Sequence, residues 1–356
     1  MTNNPLHRKI TEEIKKRNII PFDEFMELAL YFPNLGYYTR DNIEIGKEGD
    51  FFTASHLGKV FGILLVRYIK ILWEKLEYPQ NFSITEIGPG MGYLCEDIME
   101  ELLNEHNITT SNFQYNLVEI NPYLKKRQQE RLAKYLDYIR WYSSIDELFN
   151  LNGVVICNEI FDAFPVRIFE VKKGKLFEVY VTIDEKGDFI EKLMPARKET
   201  FEFIQESAQH VLEIDGYRSE INLRMKDFIE KLSKAVKRGF LLIFDYGWNN
   251  EEYYNPQRNK GTLLCYYKHT INENPYINVG LQDITSHVNF SVLQKWANDS
   301  GFKIIEYMSQ SKFLVSLCDE QLLERLKKQE LIDKFKRLIL PQGMGETHKV
   351  LIFFKS

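Results

Sequence analysis

The chain has 356 residues, 44% of them hydrophobic, with a net charge of -5 and a pI near 5.9. That length accommodates one large domain with insertions or two ordinary ones, and the acidic balance argues against a general attraction to nucleic acid or anionic lipid. The four cysteines, Cys95, Cys157, Cys265 and Cys318, form no CxxC pair, so neither a disulfide framework nor a metal ribbon is expected.

Two amphipathic helices come first. Leu6, Ile10 and Ile14 recur at helical spacing, and Phe22, Phe25, Met26, Ala29 and Leu30 follow Pro21. The N-terminus has no apolar signal core, and Glu12 and Glu13 disfavour a transit peptide, which sets a cytoplasmic expectation. The stretch "VFGILLVRYIKILW" is broken by Arg67 and Lys70, so no membrane span is expected. Residues 1–80 are read as a helical cap ending in the loop around "GDFFT", and residues 81–356 as the core, with insertions at about 166–220 and 248–285.

From residue 83 the pattern changes to a βαβ unit: "SITEIG" as a strand, Leu94, Ile98 and Leu102 on one face of a helix, and "FQYNLVEI" as a second strand. The alternation continues through a helix in "LKKRQQERLAKYL", strands in "YIRWY" and "GVVICNE", and a brief helix at "SIDELF" between them. This is the rhythm of a doubly wound α/β sheet. The run "VRIFEVKKGKLFEVYVTIDEKGDFIEKL" turns at Lys173-Gly174 and Lys186-Gly187 and reads as an inserted hairpin or meander. A helix from about Asn222 to Lys237 leads into "GFLLIFDYG", a continuous apolar run suited to a central parallel strand. Residues 248 to 283 read as a loop-rich, lid-like excursion. After it come a helix near "HVNFSVLQKWANDSG", the strand "FKIIEYM", one amphipathic helix, "EQLLERLKKQELIDKFKRLI", and a last strand, "KVLIFF".

The chemistry concentrates at "TEIGPGMGYL". Gly88, Gly90 and Gly92 lie where the first strand meets its helix, and glycine there permits positive φ and close approach of backbone N–H groups to a ligand. Glu119 closes the second strand, the place from which a carboxylate accepts hydrogen bonds from ribose hydroxyls. The pair indicates a nucleoside-containing ligand. A dinucleotide needs a third glycine, and Tyr93 follows Gly92 instead, so S-adenosylmethionine, which has no phosphate, fits better. Its ammonium needs acceptors, a role open to Glu86 or nearby carbonyls. The bland alternative is a tight turn that only closes helix against strand.

Asn158, Glu159 and Asp162 follow the fourth strand; Glu159 is the first choice for orienting an acceptor, while Asp162 is open to reading as a helix cap. Asp283 and His287 in "DITSHVNF" suit a wall of the acceptor channel, with His287 either a proton acceptor or a structural hydrogen-bonder. Asp50, Phe51 and Thr53 in "GDFFT", together with Asn158 and Tyr246, complete the candidate acceptor set.

These motifs together resemble the MidA-like class I methyltransferases. The resemblance runs through "FMELALYFPNLGYY", "GDFFTASHLGKVFG", "EIGPGMG", "YNLVEINPYLKKRQ", "NEIFDAFPV", "FDYG", "GTLLCYYKH", "DITSHVNF" and "PQGMGETHKVL", in the family's order over nearly the whole chain. It implies a seven-stranded, mostly parallel methyltransferase sheet with an antiparallel last hairpin and S-adenosylmethionine bound through Glu86, Gly88, Gly90, Gly92 and Glu119, to which Asn158 at the neighbouring strand end is added as a cofactor candidate. It also implies a protein substrate methylated on arginine, and it allows a homodimer. Departures stand at Met91, where the family has Arg, at Ser55-His56, and at Thr347-His348, where the family has Phe before the lysine. A non-catalytic assembly factor that keeps the fold and binds a partner protein is the alternative.

Overall fold

The computed structural model describes residues 4–41, 43, 59–103, 109 and 111–356. Asp50, Phe51, Thr53 and the departure at Ser55-His56 lie outside the described residues. The chain forms two compact units, one from Met1–Glu44, Phe161–Phe228 and Gly247–Lys295, the other from Ile45–Ile160, Ile229–Tyr246 and Trp296–Ser356. They are interleaved along the chain rather than consecutive, unlike the division into 1–80 and 81–356 expected from the sequence.

The second unit is built on β1 (Phe82–Ile87), β2 (Phe113–Val118), β3 (Ile139–Tyr142), β4 (Leu151–Asn158), β5 (Val236–Trp248), β6 (Lys303–Ser309) and β7 (His348–Lys355), in the order β6-β7-β5-β4-β1-β2-β3. β1 to β5 run parallel to their neighbours, and β7 runs antiparallel between β5 and β6. Strand order reverses direction at β1, with β2 on one side and β4 on the other. A crevice therefore opens beyond their carboxyl ends, the place where open α/β sheets hold ligands.

All six residues of β1 are buried, as a strand covered on both faces requires. Three helices matter for the site: α1 (Val60–Lys75), α2 (Tyr93–Leu103) and α3 (Pro122–Arg131). α1 belongs to this unit and not to a cap. Its Phe61, Leu64, Leu65, Ile69 and Leu72 enter the same core as Phe82, Ile84 and Ile98. Gly62 is where α1 and α2 meet, since a Cβ there would lie 2.5 Å from Asp97 Cβ. α3 starts where its sequence says it should: Asn121 Oδ1 accepts from Tyr123 N at 2.9 Å, and Pro122 fills the first turn. The expected long C-terminal helix is two, Glu320–Lys328 and Ile332–Ile339, separated by Glu330 at φ 57°. The break lets both short helices turn apolar faces, Leu322 with Leu326 and Phe335 with Leu338, into the core.

In the first unit, the meander Arg167–Lys172, Lys175–Ile183 and Phe189–Pro195 is joined by Arg218–Ile221 and by the two-residue strand Ile20–Pro21. The second N-terminal helix, Phe22–Tyr31, is fixed to it by charge. Arg197 binds Glu178 at 2.6 Å and Asp23 at 3.0 Å, while Arg167 reaches the same Asp23 at 3.4 Å. The segment read as a loop-rich excursion carries a three-stranded sheet, Leu264–Tyr267, Thr270–Asn272 and Asp283–Thr285. Val288–Asn289 pairs in parallel with Gly247 and Trp248, so the large sheet counts eight strands where seven were expected.

Candidate functional site

The turn from β1 to α2 holds Gly88 at φ 64°, Gly90 at 54° and Gly92 at 77°, a backbone that L side chains rarely adopt. Gly88 N donates to Val118 O at 3.0 Å and Gly92 N to Pro89 O at 2.8 Å, so the turn is tied to the end of β2 and to itself. A Cβ on Gly88 would sit 2.4 Å from Ile160 Cδ1. The left-handed φ is what demands glycine there, since the Ile160 contact is with the end of a side chain that can shift.

Glu119 follows β2, and its backbone N donates to Tyr142 O at 3.0 Å. Its carboxylate accepts from Asn121 N at 2.8 Å and from Gln128 Nε2 at 3.1 Å. Gln128 is the link that sequence reasoning missed. Its Nε2 also donates to Gly90 O at 2.7 Å, and its Oε1 accepts from Trp141 Nε1 at 3.1 Å. One buried amide therefore spaces the glycine turn from the acidic residue. Burial pushes Glu119 up to about 7, against the hydrogen bonds from Asn121 and Gln128 that favour its charge. Glu86, near the end of β1, accepts from Tyr115 OH at 2.8 Å and is likewise pushed up to about 7 by burial. Both acids can thus be neutral or charged near neutral pH.

The neighbouring strand ends carry a second group. Asn158 Oδ1, at the end of β4, is buried with no hydrogen-bond partner among the described residues. Glu159 sits at φ 51°, its N donating to Phe244 O at 2.8 Å. Asp245, fully buried, accepts from Ile160 N at 3.2 Å and from Tyr246 N at 2.9 Å, which fixes the loop after β4 to the end of β5. Strand pairing places His348 opposite Tyr246, with ring centroids 5.5 Å apart, and His348 Nε2 is 3.8 Å from Glu159 Oε1. Asp245 had a faint signal, a lone charge inside an apolar run. Gln128 had none, and His348 showed only as a departure from the family's pattern, because their burial depends on distant strands.

The other unit gathers Asp162, Asp283 and two tyrosines that the sequence reading did not single out. Tyr38 OH donates to Asp283 Oδ1 at 2.9 Å, and Tyr31 OH donates to Ala163 O at 3.0 Å. The two tyrosine rings stack 5.6 Å apart. Burial first, then the charges of Asp283 and Asp162, holds both phenols well above their ordinary range. Asp162 O accepts from Ser286 N at 2.9 Å, so the two acidic segments are joined through backbone. His287 is packed rather than projecting: its ring stacks on Trp248 at 4.1 Å, and Arg258 lies 3.6 Å from the same Trp248 ring. Its N donates to Thr262 Oγ1 at 3.0 Å, and Thr262 in turn is held by the buried Glu220 carboxylate.

The family model described as "Putative S-adenosyl-L-methionine-dependent methyltransferase" matches residues 64–308. The chain is 25% identical over 98% of its length, and 84% of the relative's, to the mitochondrial protein arginine methyltransferase NDUFAF7 homolog of Drosophila melanogaster. It is 26% identical to the mitochondrial protein arginine methyltransferase NDUFAF7 of Danio rerio, covering 97% of this chain and 85% of that one. Among solved structures it is similar to a Burkholderia thailandensis protein with S-adenosyl-homocysteine bound, at 30% identity and TM-score 0.88, covering 98% of this chain and 92% of that one. The class I methyltransferase fold follows from that likeness. The cytoplasmic expectation is corrected: the named relatives are mitochondrial, and modest net charge with unpaired cysteines suits more than one reducing compartment. No described helix is long and apolar enough to cross a membrane.

Proposed function

We propose, from the premise that this chain belongs to the S-adenosyl-L-methionine-dependent methyltransferase family, that it methylates arginine side chains of a protein. One arrangement carries the reading: Gln128 bonded at once to Gly90 O and Glu119, a positive-φ turn and a buried acid held at fixed spacing in the crevice beyond β1. Those residues fit the cofactor's chemistry. The turn at Gly88 has a left-handed backbone that disfavours a side chain, and Glu119 and Glu86 supply acceptors for hydroxyl and ammonium donors. Bound there, S-adenosylmethionine supplies an electrophilic methyl group on a sulfonium.

What remains for the protein is positioning and exclusion of water, since transfer needs the acceptor nitrogen in line with the carbon–sulfur bond. Gly88, Gly90 and Gly92 let backbone approach the amino-acid end, Glu119 takes the ribose hydroxyls, and Asn158 offers its open Oδ1 to ligand or acceptor. Glu159 orients the guanidinium, whose planar N–H fork pairs with a carboxylate and whose remaining charge the same group stabilises. Tyr246 beside it shapes the wall. Asp162, Asp283 and His287 are retained as acceptor candidates on sequence grounds; within their own unit Tyr38 donates to Asp283 and His287 stacks on Trp248. Asp50, Phe51 and Thr53 are retained as acceptor contacts on sequence grounds.

Arginine as the acceptor rests on the relatives' activity. Incubation with labelled S-adenosylmethionine and a protein lysate, followed by mass-spectrometric site mapping, tests it. Labelled arginines are expected; labelled lysines or glutamines with bare arginines would reject the assignment.

A further inference from the structure

His348 opens β7 and is buried, and the fold gives it a use. The antiparallel register of β7 on β5 pairs Tyr246 with His348, and the parallel register of β4 on β5 pairs Phe244 with Asn158. His348 and Glu159 therefore arrive at the same edge of the sheet from residues almost 190 positions apart. Glu159 is held in the left-handed region at φ 51°, a conformation a glutamate adopts only when its surroundings impose it. His348 Nδ1 lies 3.1 Å from Thr347 Oγ1, a hydroxyl that rotates to donate. His348 Nε2 is buried with no hydrogen-bond partner among the described residues, and Glu159 Oε1 lies 3.8 Å from it. Burial lowers the imidazole to about 4, so the ring is neutral at pH 7 and carries one N–H. The tautomer in which Thr347 Oγ1 donates to Nδ1 carries its N–H on Nε2, the ring nitrogen 3.8 Å from Glu159 Oε1.

We propose that His348 is a positioning residue: when the acceptor binds, its Nε2–H closes the 3.8 Å gap to Glu159 Oε1 and fixes that carboxylate in direction for the cationic group that accepts the methyl. The inference rests on the function proposed above and adds a determinant to its acceptor site. During transfer the carbon–sulfur bond breaks with its electron pair left on sulfur, the nitrogen–carbon bond forms, and the nitrogen's proton passes to Glu159 and then to water. His348 stays neutral throughout and acts only through Glu159. The groups that act on His348 include Tyr246 from β5 and Thr347 and Lys349 from its own strand.

The test compares wild type with His348→Phe and His348→Gln, using a synthetic arginine peptide across pH 5.5 to 8.5. In His348→Phe, the peptide KM is expected to rise about tenfold at pH 7, the loss of one hydrogen bond to a charged group, and the acid limb of kcat/KM to move to higher pH. S-adenosylhomocysteine affinity, measured by calorimetry, stays within about twofold, because the glycine turn and Glu119 assigned to it follow β1 and β2 and not β7. His348→Gln, which keeps an N–H donor, recovers most of the loss. A His348→Phe profile superimposable on wild type would overturn the proposal. Imidazole 15N spectra of the full-length protein give a readout free of turnover. Nε2 is expected to be protonated, and Glu159→Gln to shift its resonance; an unchanged resonance overturns the proposal even where His348→Phe does not fold. If lysine peptides were methylated in place of arginine with the same dependence on His348, the substrate assignment would fall and the positioning role would stand.

Discussion

Glu119 makes the nucleoside reading quantitative. Its carboxyl is pushed up to about 7 by burial, yet ribose hydroxyls donate only to a carboxylate with open lone pairs, so binding selects the ionised form and drives a proton off. With a free-state value of about 7 and a bound state fully ionised, the apparent dissociation constant grows as 1 + 10^(7 − pH). That is about tenfold weaker binding at pH 6 than at pH 8, and roughly half a proton released per site at pH 7. Calorimetry with S-adenosylhomocysteine in buffers of different ionisation enthalpy measures both quantities at once. Glu119→Gln is expected to bind more weakly at every pH, by about tenfold or more for a lost charge-assisted bond, and with a flat pH dependence. Affinity that is equal at pH 6 and pH 8 in folded wild type, with no proton release, would refute the assignment of Glu119 to the ligand.

Three further outcomes follow from the same residues. Glu86 has a raised folded value, so the folded state binds the extra proton between about 4.5 and 7, and the apo protein loses stability as pH rises through that window. Glu86→Gln should remove that loss and stabilise the apo protein at pH 8, on the order of 3 kcal/mol at most, read by denaturant melts; a variant that melts earlier at both ends of the window contradicts it. Gly88→Ala places a Cβ against Ile160 at a left-handed φ. It should cost about 1–2 kcal/mol and abolish ligand binding, with Ile160→Ala relieving the contact but not the backbone strain; full recovery in the double variant would show that sterics alone mattered. Gln128→Ala leaves Gly90 O and Glu119 without their shared donor. Ligand affinity should drop by about tenfold while Trp141→Phe, which removes only the outer bond, has a smaller effect; the reverse order would refute the network as drawn.

Much of the molecule was legible in local pattern. The change from 3.6-residue to two-residue periodicity near residue 83 located β1. The cap signal Asn121-Pro122 located α3, and the glycines between strand and helix located the turn, because each of these depends only on neighbours within a few residues. Positive φ at Gly88, Gly90 and Gly92 is the same kind of local demand.

What the sequence by itself determined is therefore the α/β rhythm, the turn and the acid that closes the second strand. Tertiary structure alone decided the rest. The division into interleaved units, the place of α1 in the sheet's core, the split of the last helix at Glu330, and the convergence of Gln128 on Gly90 and Glu119 all join residues far apart along the chain. Tyr31 and Tyr38 near Asp283, and His348 beside Glu159, belong with them. A single polar side chain on an amphipathic pattern looks solvated until a partner from another strand buries it. Burial, and the hydrogen bonds and shifted acidities that burial enforces, comes into being only when the strands are ordered into a sheet.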